Sequence, residues 1–300
     1  MNFYEKVLEA LPEMKILSDE PMSRHTTFKI GGVADFFATP SLTELPVVLD
    51  IARECNIPVT VIGNGSNLLV GDKGIRGLVV EIGRAAESIE IEKNTMTAGA
   101  GTMLSKAANA AADAGLSGME FASGIPGSVG GAVVMNAGAY GGEIKDIIIS
   151  ADVVTASGDI KTLTRDELDL SYRHSCIPEN GYIVVKAVFE LSPGRSEEIR
   201  NAMAELRDKR IEKQPLEYPS AGSTFKRPEG YFAGKLIQDA GLRGYTVGGA
   251  CVSEKHCGFV VNKGGATAAD VLQLIEDVKS KVFKLSGVEL EPEVKMIGEF

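Results

Sequence analysis

An α+β fold in two parts is what this sequence predicts, and three observations carry it. Segments of strand character come in adjacent, antiparallel-looking pairs as well as alternating with helices. Two glycine-rich stretches, at 63–67 and 120–143, interrupt the first half of the chain. A Pro-Gly turn at residues 192–196, SPGRS, follows a strand and precedes a helix, and marks the division. The 300 residues allow two compact units with separate cores, and 44% hydrophobic with 24% charged residues is the balance of a soluble globular protein.

In chain order, residues 2–14 read as a short amphipathic helix with Phe3, Val7, Leu8 and Leu11 at helical spacing. A strand follows Gly31 and Gly32 from Val33 to Thr39. Ser41 or Thr43 is suited to cap a helix running to about Cys55, with Pro46 tolerated in its first turn. The strand PVTVIG ends at Gly63, another runs from Leu78 to Ile82, and SIEIEKNTMTAGAG predicts a hairpin turning near Lys93 and Asn94. Thr102 is expected to cap a helix that Gly115 stops. Strands are expected at 147–155, 160–163 and 182–191. A charged helix then starts at Ser196, with Ile199, Met203 and Leu206 on one face and its end marked by Pro215. Thr267 and Asp270 form a capping-box start to the last long helix, whose Val271, Ile275, Val278, Val282 and Leu285 predict a core stripe. VELEPEVKMIG closes the chain with strand character.

Composition excludes several functions. The net charge of −10 leaves no basic face large enough for nucleic acid. No apolar run is long enough to span a membrane, and the acidic N-terminal residues do not read as a signal peptide, so the expected location is cytoplasmic. Cys55, Cys176, Cys251 and Cys257 form no CxxC pair; neither a disulfide framework nor a structural metal is expected.

The stretch 120–143, EFASGIPGSVGGAVVMNAGAYGGE, holds seven glycines. Fixing so much glycine is entropically costly, which suits main chain that must approach another group closely. That group can be a phosphorylated ligand held by backbone N–H donors, or the chain itself in a tight packing crossover. Periodicity leaves both open. The spacing is not the G-x-G-x-x-G of a dinucleotide-binding βαβ unit, so a Rossmann domain is not expected. GNGSNLLV at 63–70 is a second turn of the same kind, and two loops gripping one extended dinucleotide fit the pattern.

The strings HTTFKIGG (25–32), VIGNGSNLLV (61–70), GIPGSVGGAVVMNAGAYGGEI (124–144), YRHS (172–175), KQP (213–215), PSAGSTFKRP (219–228) and EPEV (291–294) together resemble the bacterial UDP-N-acetylenolpyruvoylglucosamine reductase family, MurB. They cover nearly the whole chain in the family's order. The resemblance implies an FAD-binding region of the vanillyl-alcohol-oxidase type at 1–192, its core at about 28–192, and a smaller α+β substrate-binding domain at 196–300. It implies a two-stage reaction in which NADPH reduces non-covalent FAD and hydride then passes to the enolpyruvyl double bond of a UDP-sugar, giving UDP-N-acetylmuramate for peptidoglycan synthesis.

By motif, Arg173 of YRHS matches the family's catalytic arginine, Ser223 of AGSTF the serine that protonates the carbanion, and Glu293 of EPEV the acid that assists it, through a raised pKa in a dry pocket. Taken singly, each reads as a surface ion-pairing residue, a cap or a solvated strand residue; the shared strings reverse that. FAD contacts are expected at Gly63, Asn64, Gly65, Ser66 and Asn67 in the first loop. In the second they are expected at Gly124, Pro126, Gly127, Ser128, Gly130 and Gly131, with Ala137 and Gly138 beyond. Tyr140 is expected at the substrate, and Lys213, Lys226 and Arg227 as a local basic cluster for its diphosphate. Residues 136–140 are expected to face the cleft where Arg173, Ser223 and Glu293 meet the substrate. Arg227 stands where the family's longer branch carries asparagine, and the segment after Leu191 is too short for that branch's tyrosine-bearing lid, so the chain resembles the shorter branch. An alcohol-oxidising flavoenzyme of the same fold is disfavoured by PSAGSTFKRP and EPEV, and a nucleotide-sugar-binding protein without redox chemistry would be colourless.

Overall fold

The structure, a computed structural model, describes residues 2–300. The chain forms two compact units, neither continuous in sequence. The first takes residues up to Leu17 with Phe37–Asn64 and Gly77–Arg210; the second takes Ser18–Phe36, Gly65–Arg76 and Ile211–Phe300.

The centre of the first unit is a five-stranded antiparallel sheet in the order Ile160–Thr164, Ile148–Val154, Ile183–Glu190, Thr95–Gly99, Ile89–Glu92. The last two strands are the expected hairpin. Lys93 turns it in the left-handed region at φ 55°. Ile183–Glu190 is buried on both faces over most of its length, which fits its Ile, Val and Phe content, with Lys186 the charged interruption. The helix Val129–Val134, in the middle of the glycine stretch, packs on this strand through buried Val129, Ala132 and Val133. A parallel pair, Val59–Ile62 and Ile75–Glu81 with Val59 opposite Leu78, belongs to a separate four-stranded sheet.

The second unit is built on the helix Ala268–Ser286. Val271, Leu274, Ile275, Val278 and Val282 are fully buried and share a core with Leu236, Ile237, Phe28, Ile30 and Leu69. Each such aliphatic side chain contributes about 1.5–3 kcal/mol by leaving water. A three-stranded antiparallel sheet, Thr246–Val247, Ala250–Val252 and Val260–Asn262, lies in the same unit, as does the parallel pair Leu68–Val70 with Lys295–Ile297.

Several boundaries differ from expectation for local reasons. The first helix spans Phe3–Ala10 and stops before Pro12 rather than at 14. The second spans Leu45–Glu54; Glu44 is its N-cap residue, and the Ser41 side chain bonds Glu44 rather than the helix itself, while its carbonyl accepts from Leu45 N at 2.9 Å. The third spans Leu104–Asp113 and Met103 is its N-cap residue, because the Thr102 hydroxyl is bonded to the Ser88 main chain instead. The strand Ile16–Pro21 had no periodic signal. Leu285 is 63% exposed and is not core, since the helix turns it away from the buried stripe in its last turn. The C-terminal strand shrinks to Lys295–Ile297.

The capping box at Thr267 and Asp270 is formed as expected: the Thr267 hydroxyl accepts from Asp270 N at 3.0 Å and the Asp270 carboxylate accepts from Thr267 N at 3.0 Å. The bond from Thr267 N is the main cause that holds the Asp270 carboxyl below its ordinary range. Its folded pKa is depressed, so this contribution is present above the ordinary carboxylate pKa and is lost as pH falls through the lowered value. Thr267→Ala is expected to cost about 1 kcal/mol in chemical denaturation at neutral pH. Asp270→Ala should remove the pH-dependent part, its difference from wild type shrinking as pH falls through the carboxylate range; a pH-independent difference for that variant would contradict the box.

Candidate active site

In the first unit the structure brings the two glycine loops together. The Asn64 amide donates to Pro126 O at 2.7 Å, and a Cβ on Gly63 would stand 2.5 Å from Ser128 Oγ. Only glycine at 63 allows that approach. Ser128 in turn is the N-cap of the helix Val129–Val134, its hydroxyl accepting from Gly131 N at 3.4 Å.

The glycines divide by role. Gly130 lies on the backbone at Ala100, where a Cβ would meet Ala100 Cβ at 2.9 Å. The N–H groups of Val129 and Gly130 donate to Thr102 O and Ala100 O at 2.8 Å each. Gly138 is paired with Glu143 in a small hairpin, and Ala137 exchanges both its main-chain groups with Ala132 and Ile144. At Gly130, Ala137 and Gly138 the tight-packing reading describes the observed role. Among the described residues, the N–H groups of Gly63, Asn64, Gly127 and Ser128 donate to no protein acceptor, whereas those of 129–131 are all engaged. Open donors on two adjoining loops fit the pyrophosphate of a dinucleotide.

The next residues along the first loop, Gly65 to Asn67, belong to the second unit. Gly65 is buried at φ 61°, and a Cβ there would lie 1.9 Å from His25 O. Its carbonyl accepts from Thr27 N at 3.2 Å, and the Thr27 hydroxyl donates to Ser220 O at 2.7 Å. HTTFKIGG is thus a brace beneath the loop.

The YRHS segment is fixed in the first unit by the end of the glycine stretch. Asn136, fully buried, donates to Ser171 O at 3.0 Å and to the Glu143 carboxylate at 2.9 Å, and accepts from Lys145 N at 2.9 Å. Ser175 donates to Val134 O at 2.7 Å. Between these anchors Arg173 sits at φ 56°, with its guanidinium 5.1 Å from the Tyr172 ring centre. A left-handed backbone at a non-glycine residue is uncommon and points to a constrained functional turn. Tyr140 is likewise left-handed, at φ 54°, and 48% exposed.

Ser223 and Glu293, in the second unit, lie on neighbouring extended segments. Ser223 forms a bridge with Phe259, and Phe225 one with Pro292. Thr224, 3% exposed, stands between them: its N–H donates to Gly258 O, its hydroxyl accepts from Val260 N, and its carbonyl accepts from Glu293 N at 2.8 Å. Lys226 is ion-paired with Glu291, which offsets part of the expected basic cluster. Arg227 stacks on Phe232, 4.1 Å from the ring centre, and Lys213 is exposed at the end of its helix.

One residue was missed in the sequence, and the role of another differs. Asn136, expected with 136–140 to face the cleft, is fully buried and bonded to Ser171 O. Arg210 donates to Gly124 O in the second glycine loop, and burial pushes its guanidinium down against an opposing effect of Tyr140. Arg210 continues the series Ile199, Met203, Leu206 at helical spacing, so a cation on an otherwise apolar face was the signal available.

Residues 214–297 match the family model described as UDP-N-acetylenolpyruvoylglucosamine reductase, C-terminal domain, and residues 36–164 match the model described as FAD binding domain. The UDP-N-acetylenolpyruvoylglucosamine reductase of Agathobacter rectalis is 65% identical, across 100% of this chain and 99% of its own length. That of Lachnoclostridium phytofermentans is 57% identical across 95% of this chain and 94% of its own. The chain belongs to the UDP-N-acetylenolpyruvoylglucosamine reductase family. The crystal structure of the Thermus caldophilus MurB reductase superposes with a TM-score of 0.82 at 36% identity, covering 95% of this chain and 98% of that one. The fold is therefore the FAD-binding α+β type with a reductase C-terminal domain, as the motifs implied. The chain is an FAD oxidoreductase that uses NADPH to convert UDP-N-acetylenolpyruvoylglucosamine to UDP-N-acetylmuramate in peptidoglycan synthesis. Its substrates are small molecules, and no helix among the described residues is long and apolar enough to cross a membrane.

Proposed function

We propose that Arg173, Ser223 and Glu293 carry the chemistry of this reduction, in the cytoplasm, with residues 1–192 as the FAD-binding region and 196–300 as the substrate-binding domain. The observation that carries the reading is the pairing of the Ser223 and Glu293 segments through Thr224. Bound FAD supplies hydride for the enolpyruvyl methylene carbon. In the first unit the N–H groups at Gly63, Asn64, Gly127 and Ser128 would hold its pyrophosphate.

Addition at the methylene carbon builds negative charge on the neighbouring carbon and its carboxylate. The Arg173 guanidinium, fixed by its turn, meets that charge. The Ser223 hydroxyl delivers a proton to the same carbon, and Glu293 supports that transfer. Tyr140 positions the substrate from its exposed hairpin, and Lys213, Lys226 and Arg227 face the diphosphate. Purified protein mixed with NADPH and UDP-N-acetylenolpyruvoylglucosamine is expected to consume NADPH only when the sugar is present, followed by absorbance. Arg173→Met should lower that turnover about 100-fold or more. A rate within a few-fold of wild type would remove Arg173 from the mechanism.

A further inference from the structure

Asn67, one of the expected cofactor contacts, also makes a side-chain bond within its own unit. It stands immediately before the strand Leu68–Val70, which pairs in parallel with Lys295–Ile297. The ladder starts where Lys295 N donates to Asn67 O at 2.9 Å. The Asn67 amide carries the contact two residues further back, donating to Glu293 O at 3.2 Å. Glu293 N is held from the other side, by Thr224 O at 2.8 Å. Both main-chain polar groups of Glu293 are thus fixed, one by the segment that carries Ser223 and one by the residue that ends the first glycine loop.

We propose that Asn67 is a positioning residue for Glu293, tying the end of the GNGSN loop to the extended segment that bears the acid. The proposal rests on the role assigned to Glu293 above. A carboxylate that supports proton delivery must be held to a fraction of an ångström, and a displacement of about 1 Å can cost about 100-fold in rate. Main-chain clamps on both polar groups of one residue supply that restraint.

The test compares Asn67→Ala, Glu293→Gln and the double variant, each purified with its flavin. Flavin content comes from the visible spectrum, and the two half-reactions are followed separately by stopped flow. Asn67→Ala is expected to keep its flavin, to be reduced by NADPH within about twofold of wild type, and to be reoxidised by the enolpyruvyl sugar about 10- to 100-fold more slowly. If Asn67 acts through Glu293, the double variant reoxidises within about twofold of Glu293→Gln alone. Loss of flavin would make Asn67 a cofactor ligand, an equal fall in both half-reactions would make it structural, and additive effects would make it independent of Glu293; each overturns the proposal. Glu293→Gln distinguishes the two levels. If that variant reoxidises at the wild-type rate, the role of Glu293 fails and positioning through it fails too. If it is slow while Asn67→Ala is fast, only the role of Asn67 fails. Should Asn67→Ala not fold, Asn67→Ser, which retains a donor, is read by the same outcomes.

Discussion

Ser223→Ala is expected to leave reduction of the flavin by NADPH within about twofold of wild type while slowing its reoxidation by the enolpyruvyl sugar about 10²- to 10⁴-fold, the usual worth of a positioned proton donor. The asymmetry follows from when the hydroxyl is needed. NADPH delivers hydride without requiring a proton on the sugar, whereas the carbon next to the methylene cannot complete the product without one. The substitution removes one oxygen at a partly buried position whose main chain is held by the bridge to Phe259 and by its neighbour Thr224, so the fold should persist. Thermal melting serves as the control. If both half-reactions fell by the same factor, Ser223 would be a structural residue and the proton would have to come from another group.

Gly65→Ala should have the largest effect on the protein itself. The backbone there is left-handed at φ 61°, and the new methyl would lie 1.9 Å from His25 O, main chain that cannot move aside as a side-chain tip can. Left-handed strain alone costs about 1–2 kcal/mol, and the clash adds to it. The purified variant is expected to melt well below wild type and to lose flavin on gel filtration. Gly141→Ala makes the comparison: its φ is 92° but nothing stands within 4 Å of the added carbon. It should bear the strain without the clash and keep its flavin. Equal behaviour of the two variants would show that the packing of the 65 loop on His25 is not what holds the cofactor loop.

Much of the fold was legible because its signals are local. The hairpin around Lys93 and Asn94 is written in alternation and a turn dipeptide, and the last helix in a capping box and a 3.6-residue stripe. Where the reading missed, a distant group had intervened. Thr102 looks like a cap until Ser88, brought alongside by the sheet, takes its hydroxyl. Leu285 continues the stripe by spacing, but nothing in the fold covers the last turn.

The site divides in the same way. The glycine loops, YRHS, AGSTF and EPEV could be found as strings, and residue types alone suited them to phosphate, enolate and proton chemistry. Glycine composition could not say which glycines admit a ligand and which admit the chain. Gly130 is glycine because of Ala100, Gly63 because of Ser128, and Gly65 because of His25. The sequence by itself determined the family and the two loops, and singled out Arg173, Ser223 and Glu293 as candidates. Only the tertiary structure decided which backbone donors stay open, that Arg210 reaches Gly124, and that Asn67 is bonded to Glu293. Those are contacts between segments far apart in the chain, and no local propensity encodes a hydrogen bond whose partner arrives only when the sheets and helices have packed.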